Sequence, residues 1–369
     1  MSAAESIDTI VVGGGVVGLS IAYGLAKEGD RVLVLDEGDD AFRAARGNFG
    51  LVWVQGKGPD MPAYAKWSMD GARLWSDMAD DLTRLTGVDL QLSQPGGLAF
   101  CLSDKELEAR SRMLANIAQT VGEEYPFEIL DARATRRLCP HIGPEVAGAS
   151  FCPMDGHVSP LRLLRALAKA VIELGSEISP NQRVNFIEYR GGAFYARTAA
   201  SEHVARRLVL AAGLGNKVLA PMVGLFAPVR PVRGQVLISE RVQPFLSLPT
   251  ASVRQTGDGG VQIGDSKEDV GFDDGTTIEE LSRMAARAVR CFPALAEVNI
   301  VRTWGALRIM TPDGYPIYNA SLDCPAAFIV TCHSGITLAP QHSGPLARWI
   351  RGGPPPEQLR HFKAERFHV

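Results

Sequence analysis

A glycine-rich turn between two apolar segments is the feature that most constrains the fold of this chain. Residues 8–12 form a short β-branched run, as expected of a first strand buried on both faces of a parallel sheet. Residues 13–18 then give the pattern G-x-G-x-x-G, and residues 16–27 are predicted to form a helix that ends before Gly29. A second buried strand at residues 31–35 completes a βαβ unit.

Each glycine of this turn has a physical role. Gly13 permits the tight turn, Gly15 lets the backbone approach a pyrophosphate at the helix N-terminus, and Gly18 allows close packing of helix against strand. Asp36 follows the second strand at about the spacing expected of an acid that binds a ribose. Together these residues predict a dinucleotide site. The fingerprint does not distinguish FAD from NAD(P), although the charge of Asp36 would repel the 2′-phosphate of NADP.

A loop rich in arginine and glycine, at residues 43–50, follows the acid closely. Such a loop can cover the far side of a pyrophosphate with backbone N–H groups and cations. On composition alone, a solvated surface loop is the alternative.

The composition excludes several classes of protein. With 369 residues, of which 46% are hydrophobic, the chain can bury a large core and hold two domains. Lys and Arg number 38 against 41 Asp and Glu, and no basic run indicates contact with nucleic acid or a membrane surface. The N-terminus lacks the pattern of a signal peptide, and no apolar run approaches the roughly 20 residues of a membrane span. We therefore expect a cytoplasmic protein that acts on a small molecule.

The later part of the chain breaks the strand–helix alternation and returns to strands. Helices are predicted at residues 64–85, 105–121, 160–174 and 277–292, and strands at residues 96–102, 183–189, 193–198, 203–212 and within 229–264. A strand, a loop and a helix close the chain at residues 327–351. This order predicts an α/β fold in which a second, antiparallel domain interrupts the nucleotide domain. The expected nucleotide domain comprises residues 1–87, 146–222 and 300–369, and the expected substrate domain comprises residues 88–145 and 223–299.

Four blocks of sequence resemble the D-amino-acid oxidase superfamily, which includes glycine oxidase, sarcosine oxidase and D-amino-acid dehydrogenases. The blocks are IVVGGG at 10–15 with Asp36, LVLAAG at 208–213, GALR at 305–308 with TPDG at 311–314, and CHSGITLAP at 332–340. The resemblance implies a Rossmann-like FAD-binding domain of the glutathione-reductase type with an antiparallel substrate domain. It also implies oxidation of the C–N bond of an amino-acid-like amine by hydride transfer to flavin.

A narrower resemblance concerns residues 48–58 and 332–335. Their sequences, NFGLVWVQGKG and CHSG, are similar to the FAD-carrying β subunits of opine oxidases and of heteromeric D-hydroxyproline dehydrogenases. This similarity implies partner subunits, an α subunit and a small iron–sulfur subunit. The six cysteines of the chain show no spacing typical of zinc or cluster ligands, so any iron–sulfur cluster or second flavin (FMN) would be shared with or carried by the partners.

The resemblance also implies which residues contact the FAD. The adenine is expected to meet the backbone of Val184, and the N–H groups of residues 335–338, at the start of a predicted helix at 336–350, are expected to face the pyrimidine edge of the isoalloxazine. The complete set of expected contacts is Gly13, Gly15, Val16, Val17, Gly18, Asp36, Glu37, Arg43, Ala44, Ala45, Asn48, Gly50, Leu51, Val184, Ala212, Gly213, Arg308, His333, Gly335, Ile336, Thr337 and Leu338.

Arg308 and His333 are the expected catalytic residues. Arg308 matches the position at which glycine oxidase-like enzymes hold the substrate carboxylate, and a guanidinium fork suits a carboxylate because two parallel N–H donors meet its two oxygens. A structural ion pair is the alternative for Arg308. His333 is expected near the flavin as a base, as a flavin hydrogen-bond donor or as a core histidine.

Two departures from sarcosine oxidases are informative. Their FAD-tethering cysteine precedes the TPD-like stretch, where this chain has Met310, so the FAD should be non-covalent. Their oxygen-activating lysine matches Gln262, which favours a dehydrogenase that passes electrons to a partner. The alternatives are a free-standing oxidase that uses oxygen, a nicotinamide-dependent dehydrogenase with one Rossmann domain, and a flavin-binding subunit without catalysis. The substrate stays open among opines, hydroxyproline, proline and simple D-amino acids.

Overall fold

The predicted first strand lies inside a six-stranded sheet. The strands of this sheet come from widely separated parts of the sequence. The computed structural model describes residues 6–38, 44–122 and 125–367. Within these ranges the strands are β1 (Thr9–Val12), β2 (Val32–Leu35), β3 (Leu51–Val52), β4 (Gly97–Cys101), β5 (Glu128–Asp131), β6 (Gly148–Cys152), β7 (Gly156–His157), β8 (Glu177–Ser179), β9 (Phe186–Arg190), β10 (Ala193–Arg197), β11 (Glu202–Ala205), β12 (Arg207–Leu210), β13 (Arg230–Arg241), β14 (Val253–Gln255), β15 (Gly260–Ile263), β16 (Ile300–Met310), β17 (Ile317–Ala320) and β18 (Ala327–Thr331).

Along the described part of the chain, the helices are interspersed with these strands. They are α1 (Val16–Lys27), α2 (Pro62–Arg73), α3 (Trp75–Thr86), α4 (Asp104–Val121), α5 (Ala132–Leu138), α6 (Pro160–Glu173), α7 (Asn216–Leu219), α8 (Ile278–Cys291), α9 (Ala339–Gln341) and α10 (Ala347–Ile350), and a π-helical turn, His342–Leu346, joins the last two. None of the helices in the described ranges has the length and apolar character of a membrane-spanning segment.

The first sheet has the order β17-β18-β12-β1-β2-β8, and its five strands other than β17 run parallel. Successive side chains of β1 point to opposite faces of this sheet. Val11 packs in the core that includes α1 and α6, and Ile10 and Val12 pack in the core beneath the three-stranded sheet β11-β10-β9. The strand is therefore buried on both faces, which explains its β-branched composition.

A second layer of the structure is antiparallel. It contains a four-stranded sheet with the order β14-β15-β13-β16 and a three-stranded sheet with the order β4-β6-β5. Leu237, Val253 and Ile263 point from the four-stranded sheet into a core that also contains residues of α8. The expected α/β fold with an antiparallel second domain is confirmed, and the residue boundaries of the two domains stay a prediction.

The opposite face of the four-stranded sheet carries polar side chains. Arg254 pairs with Gln262 across β14 and β15, and Trp304, Ala306 and Arg308 follow at alternate positions of β16 with partners on β13. Because side chains alternate along a strand, these residues share the face that points away from the apolar core. This face lies over the loop at residues 47–50, since the indole Nε1 of Trp304 donates to the carbonyl oxygen of Gly47 at 3.2 Å.

Several element boundaries differ from prediction because tertiary contacts decide them. The helix predicted at 64–85 is interrupted at Leu74, beyond which Trp75 is fully buried and its Nε1 donates to the carbonyl of Ile336 at 3.2 Å. The strand predicted at 203–212 divides because β11 pairs with β10 whereas β12 pairs with β1.

The closing helix was predicted to begin at Ile336 and in fact begins at Ala339. Pro340 lies in its first turn, a position where proline starts helices readily because its missing N–H needs no partner there. Residues 335–338 form a turn instead, in which the N–H of Leu338 donates to the carbonyl of Ser334 at 3.1 Å. The positive end of the helix dipole therefore lies three residues later than expected.

Candidate functional site

The glycines at both ends of the fingerprint are required by close backbone packing. Gly13 has a φ of +112°, and a Cβ at this position would clash with the carbonyl oxygen of Ala211. A Cβ at Gly18 would clash with the carbonyl oxygen of Gly13, where α1 passes the strand. These contacts agree with the turn and packing roles that the sequence predicts for the two residues.

Gly15 faces open space, unlike the other two. A Cβ at this position would find Ala45 as its nearest neighbour, at 3.9 Å. Gly15 is also the N-cap of α1, and among the described residues no side chain caps the helix there. The first N–H groups of α1, beginning at Val16 and Val17, therefore form a donor site that suits a pyrophosphate.

Asp36 closes the turn from the side of β2. Its Oδ2 accepts a hydrogen bond from the N–H of Gly14 at 2.7 Å, and its Oδ1 accepts one from Gly38 at 2.9 Å. The carbonyl of Asp36 accepts from the N–H of Gln182 at 2.7 Å, which brings the segment containing Val184 beside the acid. This placement is compatible with the ribose and adenine end expected there.

Val184 is buried, but it precedes β9 rather than lying in a strand, because residues 182–185 turn away to reach the end of β2. Glu37 is exposed, and its carboxylate lies 3.6 Å from the guanidinium of Arg183.

The loop at residues 44–51 crosses in front of the glycine turn. Ala45 approaches Gly15, and the side chain of Asn48 accepts from the N–H of Gly50 at 2.7 Å. Gly50 has a φ of +88°, and a Cβ there would clash with the carbonyl of Val158. The loop is therefore packed against the site rather than solvated. Arg43, which was predicted to take part, lies outside the described residues, and Ala44 and Leu51 flank the packed part.

Residues 335–338, the C-terminal loop, also contact the start of α1. A Cβ at Gly335 would lie 3.2 Å from Cγ2 of Val17, and Oγ1 of Thr337 accepts from the N–H of Trp53 at 3.1 Å. Residues 335–338 thus lie beside both α1 and the loop that follows Leu51. The fold brings the predicted Gly335, Ile336, Thr337 and Leu338 to the fingerprint, 320 residues away in sequence from Gly15.

Ala212 and Gly213 lie at the end of β12. Together with the glycine turn at residues 13–18, the loop at residues 44–51 and residues 335–338, they form what we call the FAD cradle. The N–H of Ala212 donates to the side chain of Asn216 at 2.9 Å, and Gly213 has a φ of +59°. A Cβ at Gly213 would lie 3.3 Å from Cγ1 of Ile309, which precedes Met310 in β16. The segment predicted to lie beside the flavin therefore contacts the strand that carries Arg308.

His333 is half-buried among cations. Burial, followed by the charges of Lys57, Arg308 and Lys267, lowers its pKa to about 3. Its Nε2 lies 3.3 Å from Oγ of Ser334. A histidine with this pKa stays neutral at physiological pH, so the roles of hydrogen-bond donor or core residue suit it better than that of a base.

Arg308 lies within β16, which continues to Met310. Its Nη1 donates to the carbonyl oxygens of Arg233 and Ser266, at 3.1 and 2.8 Å, and its Nη2 pairs with the carboxylate of Asp265. A substrate carboxylate would therefore use the Nε–H and the second Nη2–H, or displace Asp265.

Sequence reasoning missed two cations at this site. Lys57 donates to the hydroxyls of Ser334 and Tyr64, and burial lowers its pKa to about 8. Arg254 reaches the loop at Phe49. Lys57 falls in the block that carries the narrower resemblance, which was a usable signal, whereas nothing in the sequence around Arg254 indicated a role.

Comparisons with known proteins agree with this geometry. The model of the family described as "DAO: FAD dependent oxidoreductase" matches residues 8–349. The chain is 45% identical over 364 residues to the B subunit of opine oxidase from Agrobacterium tumefaciens (strain Ach5), and 42% identical over 362 residues to the protein of the same name from Rhizobium meliloti, with 98% of each chain covered in both cases. A crystal structure of glycine oxidase from Geobacillus kaustophilus superposes with a TM-score of 0.89 at 24% identity, covering 96% of this chain and 97% of that one.

The expected resemblance to the D-amino-acid oxidase superfamily is confirmed by these matches. The open space at Gly15, the uncapped start of α1 and the three loops that converge there fit the pyrophosphate of an FAD. The chain belongs to the family of FAD-dependent oxidoreductases whose model spans almost its whole length.

Proposed function

We propose that this chain is the FAD-carrying subunit of a hetero-oligomeric dehydrogenase that oxidises the C–N bond of an amino-acid-like amine, such as an opine, D-hydroxyproline or a D-amino acid. The observation that supports the proposal is the polar face of the four-stranded sheet, which carries Arg308 together with Trp304, whose indole donates to the loop beside the expected FAD site. The names of the two opine oxidase relatives support both an opine substrate and a role within a multi-subunit enzyme.

The residues of the chain bind and orient the substrate in this scheme. Arg308 attracts the carboxylate, and its contacts with Arg233, Ser266 and Asp265 fix the plane of its guanidinium before substrate arrives. FAD supplies the acceptor for the hydride that leaves the α-carbon. A strong base is not required, because the lone pair of a neutral amine stabilises the resulting iminium.

The C-terminal loop has an electrostatic task. The N–H groups of Gly335, Ile336 and Thr337 would hold the pyrimidine edge of the isoalloxazine, where fixed donors favour negative charge, whereas the N–H of Leu338, also expected there, already donates to Ser334. Neutral His333 would donate a hydrogen bond beside them, and Lys57 would contribute a positive charge through its contact with Ser334. The FAD would be held without a covalent bond, because Met310 stands where a tethering cysteine would be needed.

Partner subunits would receive the electrons. Gln262, a neutral residue, lies on the face of the sheet that points toward the flavin loop, at the position expected of an oxygen-activating lysine. An α subunit and a small iron–sulfur subunit would carry the second flavin or cluster that completes the pathway. In this arrangement neutral Gln262 would not assist a reaction with oxygen, and the partner subunits would take the electrons.

The experiment that tests this proposal compares electron acceptors. The chain, alone and co-purified with its native partners, is supplied with an amine panel, and peroxide formation is measured beside reduction of a quinone or dye. The proposal expects little peroxide and dye reduction that depends on the partners. Rapid peroxide formation by the isolated chain would instead identify a free-standing oxidase.

A further inference from the structure

Arg254 is a buried cation whose contacts are all with neutral groups. Its side chain is on β14 and only 3% of the residue is exposed. Its Nε donates to the carbonyl of Phe49, and its Nη1 lies 3.1 Å from Nδ1 of His157. In the part of the chain that the structure describes, no carboxylate lies within ion-pair distance of this guanidinium.

Burial lowers the pKa of Arg254 to about 9, so the group stays charged at neutral pH. His157 cannot offset the charge, because an imidazole is either neutral or cationic. Burial and the charge of Arg254 lower its pKa to about 4, so His157 is neutral. A buried charge without a counter-ion is costly, and such groups in proteins are ordinarily paired. The environment of Arg254 therefore favours an anion that the chain itself does not supply.

Gln262 is the cross-strand neighbour of Arg254 and is also incompletely satisfied. The residue is 9% exposed, and its side-chain oxygen has no hydrogen-bond partner among the described residues. A buried amide oxygen normally accepts a hydrogen bond, because leaving a buried polar atom without one costs more free energy than a typical hydrogen bond contributes. A guanidinium without a counter-ion and an amide whose oxygen lacks a donor thus lie side by side.

Both groups belong to the same face of the sheet as Arg308. The alternate residues of their strands, Val253 and Ile263, point into the apolar core. The two arginines differ in charge balance, because Arg308 is already paired with Asp265 whereas Arg254 is not. One face of the sheet therefore carries two separate cations, Arg254 and Arg308, on the side that faces the loop at residues 47–50.

We propose that Arg254 and Gln262 form a second anion subsite, which binds the second carboxylate of an N-carboxyalkyl amino acid while Arg308 holds the first. Such a substrate is a secondary amine with a carboxylate on each side of its nitrogen. The inference rests on the proposed amine oxidation and adds the residues that select a dicarboxylate over a simple amino acid. Arg254 would donate N–H groups to one carboxylate, and the Nε2–H of Gln262 would donate to the same carboxylate, because its side-chain oxygen is an acceptor and could not.

The test uses ligands that cannot be oxidised at nitrogen, so that binding is measured apart from catalysis. Oxydiacetate and methoxyacetate are ether analogues that differ by one carboxylate. Their dissociation constants are measured with the full, FAD-loaded chain by calorimetry and by the change in the flavin spectrum. Wild type should bind oxydiacetate at least about tenfold more tightly than methoxyacetate, the size expected for one charge-assisted pair.

Two variants locate the preference. Arg254→Gln should remove most of the preference and Gln262→Leu should reduce it. FAD content and methoxyacetate affinity are measured in each variant, so that a general loss of the site is distinguished from loss of the preference. Arg241→Gln is the matched control, because Arg241 is an exposed arginine at the end of β13 in the same sheet, and it should keep the preference.

Two results would overturn the inference. One is equal affinity of wild type for the two ligands, and the other is a preference that survives in Gln262→Leu and in Arg254→Gln. If Arg254→Gln fails to retain FAD, wild type and Gln262→Leu still decide. A protein that prefers oxydiacetate but oxidises no amine would refute the proposed function and leave the subsite in place.

Discussion

Nη2 of Arg308 is paired with the carboxylate of Asp265, and this contact anchors the guanidinium on the polar face of the four-stranded sheet. The side chain of Arg308 is 22% exposed and that of Asp265 is 42% exposed. The pair can be structural, or it can preorganise a cation that a substrate carboxylate meets later. The two interpretations lead to opposite expectations for variants.

Arg308→Ala should lower kcat/KM for an amino-acid substrate by roughly 30- to 1000-fold, which corresponds to about 2 to 4 kcal/mol for a charge-assisted pair in a partly desolvated site. Arg308→Lys should retain part of the activity, because it keeps the charge but loses the fork. The decarboxylated amine should lose less than the amino acid does. Steady-state kinetics with both substrates measure these ratios, and bound FAD is measured beside them.

Asp265→Asn serves as the control for Arg308. If Arg308 acts on substrate, this variant should retain turnover, because the guanidinium keeps its two carbonyl partners. Equal losses for the amino acid and the decarboxylated amine, or loss of FAD from Arg308→Ala, would show that the pair is structural.

Gly15→Leu should abolish FAD binding and leave the fold intact. The added side chain would enter the open space at the start of α1, where a Cβ meets nothing nearer than Ala45 at 3.9 Å. Flavin absorbance after purification and a far-ultraviolet spectrum check the two statements. Gly344→Ala is the matched control, since its Cβ would also lie 3.9 Å from its nearest neighbour, and this variant should keep its FAD.

Acid precipitation of the purified chain should release all flavin into the supernatant. The expectation follows from Met310, which replaces the cysteine that tethers FAD in sarcosine oxidases. Visible absorbance of the supernatant and the redissolved pellet measures the partition. Yellow colour that stays with the pellet would contradict the non-covalent assignment.

The free energy of unfolding should fall when the pH is lowered below about 6.5, in part because of His342. Burial lowers the pKa of His342 from 6.5 to about 3, so between these values the unfolded chain takes up a proton that the folded chain excludes. One such group reduces stability by roughly 1.4 kcal/mol per pH unit in that window and contributes no loss above it.

Denaturant unfolding at several pH values between 7 and 4.5 measures this slope. His342→Gln, which can still accept the contact from Tyr318, should reduce the slope by about one proton. The same change at exposed His361 is the control and should leave the slope as in wild type. An unchanged slope in His342→Gln would refute the assignment.

The parts of the fold that local sterics determine could be predicted from the sequence. The fingerprint glycines allow contacts that any side chain would block, and the predicted helix at 16–27 has the observed bounds of α1. The break at Leu74 and the late start of α9 at Ala339 could not be predicted, because contacts with distant segments determine them.

For the candidate site too, features carried by local motifs could be predicted, and features that depend on distant contacts could not. The family motif names Gly335 as an FAD contact, which stays a prediction, and the structure shows Gly335 beside Val17 at the start of α1. The pairing of Arg308 with Asp265 and the unpaired charge of Arg254 depend on which strands meet, so their environments appear only in the folded chain. A missing counter-ion leaves no mark in a linear sequence.

The central claim is that FAD bound to this chain accepts a hydride from an amino-acid-like amine. The most direct measurement mixes the FAD-loaded chain with opines, D-hydroxyproline and D-amino acids under anaerobic conditions and follows the visible flavin absorbance. At least one amine should bleach the flavin fully, with one equivalent of imine-derived carbonyl product per FAD, and Arg308→Ala should slow that bleaching. Flavin that stays oxidised with every amine, in wild type and in the complex with its native partners, would contradict the account.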